Sequence, residues 1–344
     1  MDSGSSPSHM LTSGHVVMPT RTIPIITIIS IVFIGIILCI PFSTAASLNS
    51  PRPYHDDNVT WRLRHQHNVS DMLPPSGEIL INEPRICELM PFAVIFVHSA
   101  PNNTDYRSAI RKSWASATRD PELRTRTIFV VGVSPTDRNN ATSRQILAES
   151  ATYGDILQFN MADRYENLSL KSLAMLRWVR EFCAGVRYVI KADDDTFVNA
   201  PLLVGDLRGV VHSQFLMGDI IAGARPIRDR LSKYYTPVSQ YNASVYPTYL
   251  SGAAYVISGD LIAALTEAAS KTQLFWLEDV YVTGILGQLV RAQLIFNGKF
   301  AFRTQTLARC QLGRIIALHR INPEEMINAW KLVADENRIC KHPS

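Results

Sequence analysis

Between Phe92 and Ala192 short apolar runs alternate with stretches of helical period, and few architectures accept that pattern. Phe92 to Ser99 (FAVIFVHS), Thr127 to Val133 (TIFVVGV), Asp155 to Phe159 and Arg187 to Ala192 (RYVIKA) read as strands. Thr104 to Trp114, Thr142 to Tyr153 and Glu166 to Cys183 read as helices, with Thr104 as a candidate cap. In the third helix Leu168, Leu173, Leu176, Val179 and Phe182 recur near helical spacing. This β-α-β-α-β order predicts an α/β fold with a mixed, mainly parallel sheet and helices on both faces. Such a sheet presents ligands at the carboxyl ends of its strands. At 47% apolar and 19% charged residues, the composition suits a sizeable core.

The chain ahead of this body has a different texture. Residues 23–42 contain no Asp, Glu, Lys or Arg. Twenty residues of helix rise roughly 30 Å, the thickness of a bilayer core. The expectation is one transmembrane signal-anchor at 23–42, a cytoplasmic tail at 1–22, a lumenal stem at 43–88 and a folded domain at 89–344. A cleaved signal peptide is the alternative, since small residues occur from Ser43 to Ser47. Arg21 before the span, against Arg52, Arg62 and Arg64 after it, does not favour the usual positive-inside arrangement. The sequons decide better: Asn58, Asn68, Asn102, Asn140, Asn167 and Asn242 each open an Asn-x-Ser/Thr triplet, all after the span. They argue for a lumenal or extracellular body. Beyond Cys39 in the span, Cys87, Cys183, Cys310 and Cys340 allow two disulfides in three connectivities. A net charge of +4 without a dense Lys/Arg stripe argues against a nucleic-acid partner.

Three adjacent carboxylates, Asp193, Asp194 and Asp195, directly follow the strand that ends at Ala192, and Lys191 precedes them. Charges this close repel unless a cation sits among them. A hard cation such as Mg²⁺ or Mn²⁺ takes one or two carboxylates plus substrate phosphates, so the strand end reads as a place where metal and diphosphate meet. A solvated acidic turn is the plain alternative. Downstream, Glu278 and Asp279 open an apolar helix-like run through Leu289. They read as acids favoured at a helix start, or as a general base. Between the two lies Tyr246 to Ser258 (YPTYLSGAAYVIS), a sugar platform or a turn entering a buried strand.

In this order the segments resemble the β1,3-glycosyltransferase family of galactosyl- and N-acetylglucosaminyltransferases, with fringe more distant. Arg107 to Trp114 (RSAIRKSW) is similar to its Arg-x-x-Ile-Arg-x-Thr-Trp helix, with Ser113 for Thr. Phe129 to Gly132 resembles the following strand, and Asp155 to Ser172 its Asp-Ile…Tyr-x-Asn-Leu-Thr-Leu-Lys-Thr stretch. Lys191 to Asn199 matches Lys-x-Asp-Asp-Asp-x-Phe-Val-Asn, and Glu278 to Val282 matches Glu-Asp-Val-Tyr-Val. Tyr246 to Ser258 is similar to Tyr-Pro-x-Tyr-x-x-Gly-x-x-Tyr-Val-x-Ser. The likeness runs from about Phe92 to Trp330. Thr283 stands where many relatives have Gly, and Asn167 is at once a sequon and part of a motif.

The resemblance implies a GT-A-type nucleotide-sugar transferase domain preceded by one transmembrane helix, in a single-pass type II Golgi membrane protein. It implies a UDP-sugar donor, Mn²⁺ or Mg²⁺, and an acceptor glycan on a glycoprotein or glycolipid. Asp195 would be the direct metal ligand and His319 a second one, with Lys191, Asp193 and Asp194 around the nucleotide. Asp279 would be the catalytic base of an inverting hexosyltransferase forming a β1,3 linkage. Arg107 and Arg111 would support the nucleotide or brace the fold. Galactose is the expected sugar, with N-acetylglucosamine and N-acetylgalactosamine as alternatives; a homo-oligomer stays open. The reading from another class is a catalytically silent relative that binds glycans or acts as a chaperone, against which the intact acids speak.

Overall fold

The computed structural model describes residues 79–137, 140–301 and 309–334. The apolar span at 23–42, the tail at 1–22, most of the expected stem, Cys39 and Cys340 lie outside the described residues. Among the described residues no helix is long and apolar enough to cross a membrane.

The alternating pattern folds as expected. β1 (Ile79–Ile81), β2 (Ala93–His98), β3 (Thr125–Val133), β4 (Ile156–Ala162), β5 (Tyr188–Asp193), β7 (Phe215–Ile221), β8 (Tyr249–Ser258) and β9 (Gln293–Phe296) form one sheet in the order β1-β4-β3-β2-β5-β8-β7-β9. The block from β4 through β3 and β2 to β5 is parallel, and β8 runs antiparallel to β5. A second sheet joins β10 (Phe300–Ala301), β11 (Ala317–His319) and β6 (Thr196–Val198).

β2 is buried along its whole length and splits its side chains between two cores. Val94 and Phe96 meet α3 (Leu168–Phe182), where Leu173, Leu176, Trp178 and Val179 are buried. Ala93, Ile95 and Val97 face the other way, against Ala109 and Ile110 of α1 (Thr104–Lys112). Each strand of a sheet covered on both faces must be apolar at every position, which is why these runs are continuous rather than alternating. α2 (Ala141–Tyr153) ends on Gly154 at φ 60°, a left-handed cap that glycine adopts without strain. α4 (Ala200–Arg208), α5 (Ile262–Ser270) and α6 (Pro323–Ala334) complete the layers, α6 packing on α1.

Three local expectations change. Residues 79–88, read as the end of the stem, join the body: β1 pairs with β4, and Cys87 is disulfide-bonded to Cys183. That selects one of the sequence's candidate pairings. The helix after Thr104 stops at Lys112, short of Trp114, and its cap residue is Asn103, which makes no capping bond with its side chain. The run after Asp279 is a π-helix, Val280–Leu286, continued by a short α-turn. Such wider turns are rare and concentrate at functional sites.

Candidate active site

Asp193 ends β5, Asp194 and Asp195 form the turn, and Thr196 opens β6. This tight reversal fans three adjacent carboxylates in different directions. Asp193 accepts from Lys191 Nζ at 2.5 Å. Asp194 is 9% exposed and accepts from Asn103 Nδ2 at 2.9 Å. The side chain that fails to cap α1 is thus spent on the acidic turn. Burial, with Asp193 and Asp195 close by, raises the Asp194 carboxyl above its ordinary value, against the Asn103 hydrogen bond.

Asp195 points to β11. There His319 lies in register with Thr196, and the Ile321 N–H donates to the Asp195 carbonyl at 2.9 Å. His319 Nε2 stands 3.2 Å from Asp195 Oδ1. One donor atom each from Asp193, Asp195 and His319 fall within 4.8 Å of one another. Donors shared by one Mg²⁺- or Mn²⁺-sized ion, each about 2.1 Å from it, stand at most roughly 4 Å apart, so the group fits such an ion after small side-chain movements. Two carboxylate oxygens and one imidazole suit Mn²⁺. The sequence placed Asp193 with the nucleotide; the fold groups it with Asp195 and His319.

Lys191 is the bridge to the second acidic pair. It is buried, yet its ammonium is held above its ordinary pKa: burial opposes the charge, and Asp193 and Glu278 outweigh burial. Its Nζ donates to the Gly252 carbonyl at 2.5 Å and lies 3.7 Å from Glu278 Oε2. Glu278 and Asp279 are adjacent but differently used. Glu278 is buried and accepts from Ser172 Oγ and Tyr255 OH, both at 2.6 Å. It is an anchor between α3, β8 and the π-helix. Asp279 accepts from the Val280 N–H at 2.8 Å and packs on Gly252, where an added Cβ would lie 3.3 Å from its Oδ2. Burial first, and then the charge of Glu278, push the Asp279 carboxyl up to about 6. A carboxylate poised there can both stay ionised near neutrality and accept a proton.

Thr283, the departure from the family pattern, braces this segment. Its hydroxyl donates to the Asp279 carbonyl at 2.6 Å and accepts from the Leu250 N–H at 2.9 Å. Thr283 hence ties the segment that carries Asp279 to β8. Tyr246 and Tyr249 flank β8's start, and Asp279 raises both phenols after burial has done so. Tyr165, 45% exposed, stands with ring centroids 6.2 Å from Tyr234 and 5.9 Å from Trp276. Burial first, and then Tyr234, with the charges of Asp279 and Asp193 adding, raise its phenol above the ordinary value.

Arg107 and Arg111 are committed to partners within the fold. Arg107 is 0% exposed and spends its guanidinium on Glu149, Ser99 Oγ, the Ala100 and Pro101 carbonyls and Thr104 Oγ1. Arg111 pairs with Glu149 and Asp155, both at 2.7 Å. Of their two expected roles, the geometry gives bracing of the fold. Lys171, which no sequence argument singled out, is buried and donates to Asp163 at 2.7 Å and the Ser99 carbonyl at 3.1 Å. Among the described sequons Asn102, Asn140 and Asn242 are exposed, whereas Asn167 Nδ2 donates to the Ala162 carbonyl at 2.8 Å.

An acidic turn at a strand's carboxyl end and a poised carboxylate, linked through Lys191 and Gly252, form one site on a sheet covered on both faces. The sequence model of the galactosyltransferase family covers residues 105–296. β-1,3-galactosyltransferase 1 of Homo sapiens is 33% identical over 270 residues, 77% of this chain and 81% of the relative. β-1,3-galactosyltransferase 2 of Homo sapiens is 33% identical over 268 residues, 76% of this chain and 63% of the relative. The chain belongs to this galactosyltransferase family, the β1,3-glycosyltransferase family that its motifs resemble, and is a glycosyltransferase. Among solved structures, galactosyltransferase LgtC in complex with donor and acceptor sugar analogs aligns at 14% identity and a TM-score of 0.36, over 73% of this chain and 98% of that one. That overlap is too loose to bear on fold or activity.

Proposed function

We propose that this glycosyltransferase moves galactose from UDP-galactose to the 3-hydroxyl of an acceptor glycan, with inversion, forming a β1,3 linkage in a divalent-metal-dependent reaction on a GT-A-type domain. The observation that carries the proposal is a contact chain that joins the two acidic groups. Asp279 rests on Gly252, whose carbonyl accepts from Lys191, which in turn pairs with Asp193 in the Asp193–Asp195–His319 group.

Asp193, Asp195 and His319 would hold the cation. Bound there, Mn²⁺ or Mg²⁺ supplies charge against the donor's diphosphate and so eases departure of UDP. Lys191 orients the Asp193 carboxylate through its hydrogen bond. Asp279 takes the proton of the acceptor hydroxyl as that oxygen attacks the anomeric carbon opposite the UDP. Glu278, committed to Ser172, Tyr255 and Lys191, stays a support. One base suffices for a single displacement, which turns an α-linked donor into a β-linked product. Tyr165 offers a ring face to the acceptor sugar.

A type II anchor in the Golgi membrane, with the body lumenal, rests on the 23–42 span and on sequons that follow it. The Cys87–Cys183 disulfide supports an oxidising compartment. The test is UDP release from UDP-galactose, UDP-N-acetylglucosamine and UDP-N-acetylgalactosamine with Mn²⁺ and a panel of acceptor glycans. UDP-galactose should turn over fastest. Turnover of another donor alone would change the sugar, and turnover of none would remove the proposal.

A further inference from the structure

A cavity of about 430 Å³ lies away from the carboxylates. Its walls come from the amino-terminal part of β3, the turn of helix after α1, the end of α2 and the strap at Glu83 to Ile86. Arg126 is in register with Val94 and Val189, whereas Asp193 is in register with His98 and Val130. Arg126 thus lies four residues of parallel strand, about 13 Å, from the level of the acidic turn, and Phe129, level with Ala192, is still two strands across the sheet from it.

The lining is basic. Arg85, Arg111, Arg119 and Arg126 face one glutamate, Glu83, and one aspartate, Asp155. Arg111 is already committed. It pairs with Glu149 and Asp155 and lies between two rings, 4.6 Å from the centroid of Phe129 and 4.1 Å from that of Tyr153. Arg126 donates through Nη1 to the Thr118 and Thr125 carbonyls, at 3.3 and 2.9 Å. The side chains of Arg85 and Arg119 are exposed and unpaired among the described residues. Glu83 accepts from Ser150 Oγ at 3.2 Å. An excess of guanidinium therefore rims a concave site, with the half-exposed Tyr153 ring at its wall.

Guanidinium groups present planar pairs of donors that match sulfate and carboxylate groups. A cavity in the range of small-molecule sites, roughly 300–1,000 Å³, holds more than one inorganic anion. The free face of an aromatic wall suits a sugar ring. We propose that this cavity binds an anionic sugar, a sulfated or carboxylated mono- or disaccharide unit, separately from the donor cleft. The site would engage an acidic residue of a glycan chain while the reaction proceeds at the other end of the sheet. It does not depend on which sugar the enzyme transfers.

The test is calorimetric titration of the intact protein at low salt with a fully sulfated heparin-derived disaccharide, its desulfated unsaturated-uronate counterpart, inorganic sulfate and UDP. The sulfated disaccharide should bind, the uronate form should bind more weakly, and both affinities should fall as salt screens the charges. Arg85→Ala and Arg119→Ala should each weaken binding about tenfold, with UDP affinity in Mn²⁺ unchanged. Asp195→Ala should leave the disaccharide affinity intact, so loss of donor chemistry is read apart from loss of this site. No binding by the wild-type chain, or equal binding by the Arg85→Ala/Arg119→Ala double variant, overturns the proposal. So does inorganic sulfate or UDP competing as strongly as the disaccharide.

Discussion

Replacing Asp279 by Asn should destroy turnover and at the same time make the protein more stable. The carboxyl group stands at about 6 in the folded chain, against an ordinary value of 3.8. A raised acid favours the protonated form, so its contribution to stability is fully present at low pH and lost as pH rises from 3.8 through 6. Above that window the ionised group costs the fold about 3 kcal/mol, at 1.36 kcal/mol per pH unit. Asn is isosteric and keeps an oxygen for the Val280 N–H, so the local geometry persists while the charge goes. Relief of the order of 1–3 kcal/mol at pH 7.5 should raise Tm by several degrees. Loss of the general base should lower kcat by about 10²–10⁴. Differential scanning fluorimetry in a chelator, beside UDP-release kinetics in Mn²⁺, reads both. Unchanged turnover would remove Asp279 from the chemistry; lost turnover with a lower Tm would refute the argument from burial.

Other consequences follow from the same geometry. kcat/KM should rise with pH through about 6 as Asp279 ionises, falling about tenfold per unit at lower pH, and a flat profile from 5 to 8 would contradict that assignment. Gly252→Ala should place a Cβ 3.3 Å from Asp279 Oδ2 and lower kcat about tenfold with little change in Tm; unchanged kcat would mean the carboxylate has slack. Arg107→Ala should remove one of Glu149's two guanidinium partners and the hydrogen bonds to the Ala100 and Pro101 carbonyls, costing about 1–3 kcal/mol in denaturant melts, while the protein should bind UDP with unaltered affinity.

The parallel block was legible because its strands must be apolar on both faces, and continuous runs such as FAVIFVHS leave little else to build. The acidic turn was legible because three carboxylates after such a strand need a reason. What sequence did not reveal depends on partners distant along the chain. Glu278 and Asp279 look equivalent as neighbours; Ser172, Tyr255 and Lys191 make Glu278 an anchor and leave Asp279 as the carboxylate proposed for the chemistry. Arg107 and Arg111 looked available for phosphate until Glu149 and Asp155 took their donors. Thr104 reads as a helix cap, but it is the first helical residue, and the Asn103 before it sends its amide to Asp194. The run after Asp279 reads as helix-like, and seven residues are too few to tell a π-helix from an α-helix by period; Gly284 sits close against Tyr249 and Pro247. That residues 79–88 join the body was hidden because three residues of edge strand carry no pattern; the β1–β4 pairing and the Cys87–Cys183 bond tie them to it.

One in-line displacement assisted by one carboxylate makes a stereochemical demand that no rate measurement replaces. Proton NMR of the product formed from UDP-galactose, Mn²⁺ and a suitable acceptor reports the new anomeric coupling and the linked carbon together. A β anomer joined at the 3-hydroxyl is the predicted result. An α anomer would mean retention and a mechanism that a lone Asp279 cannot provide.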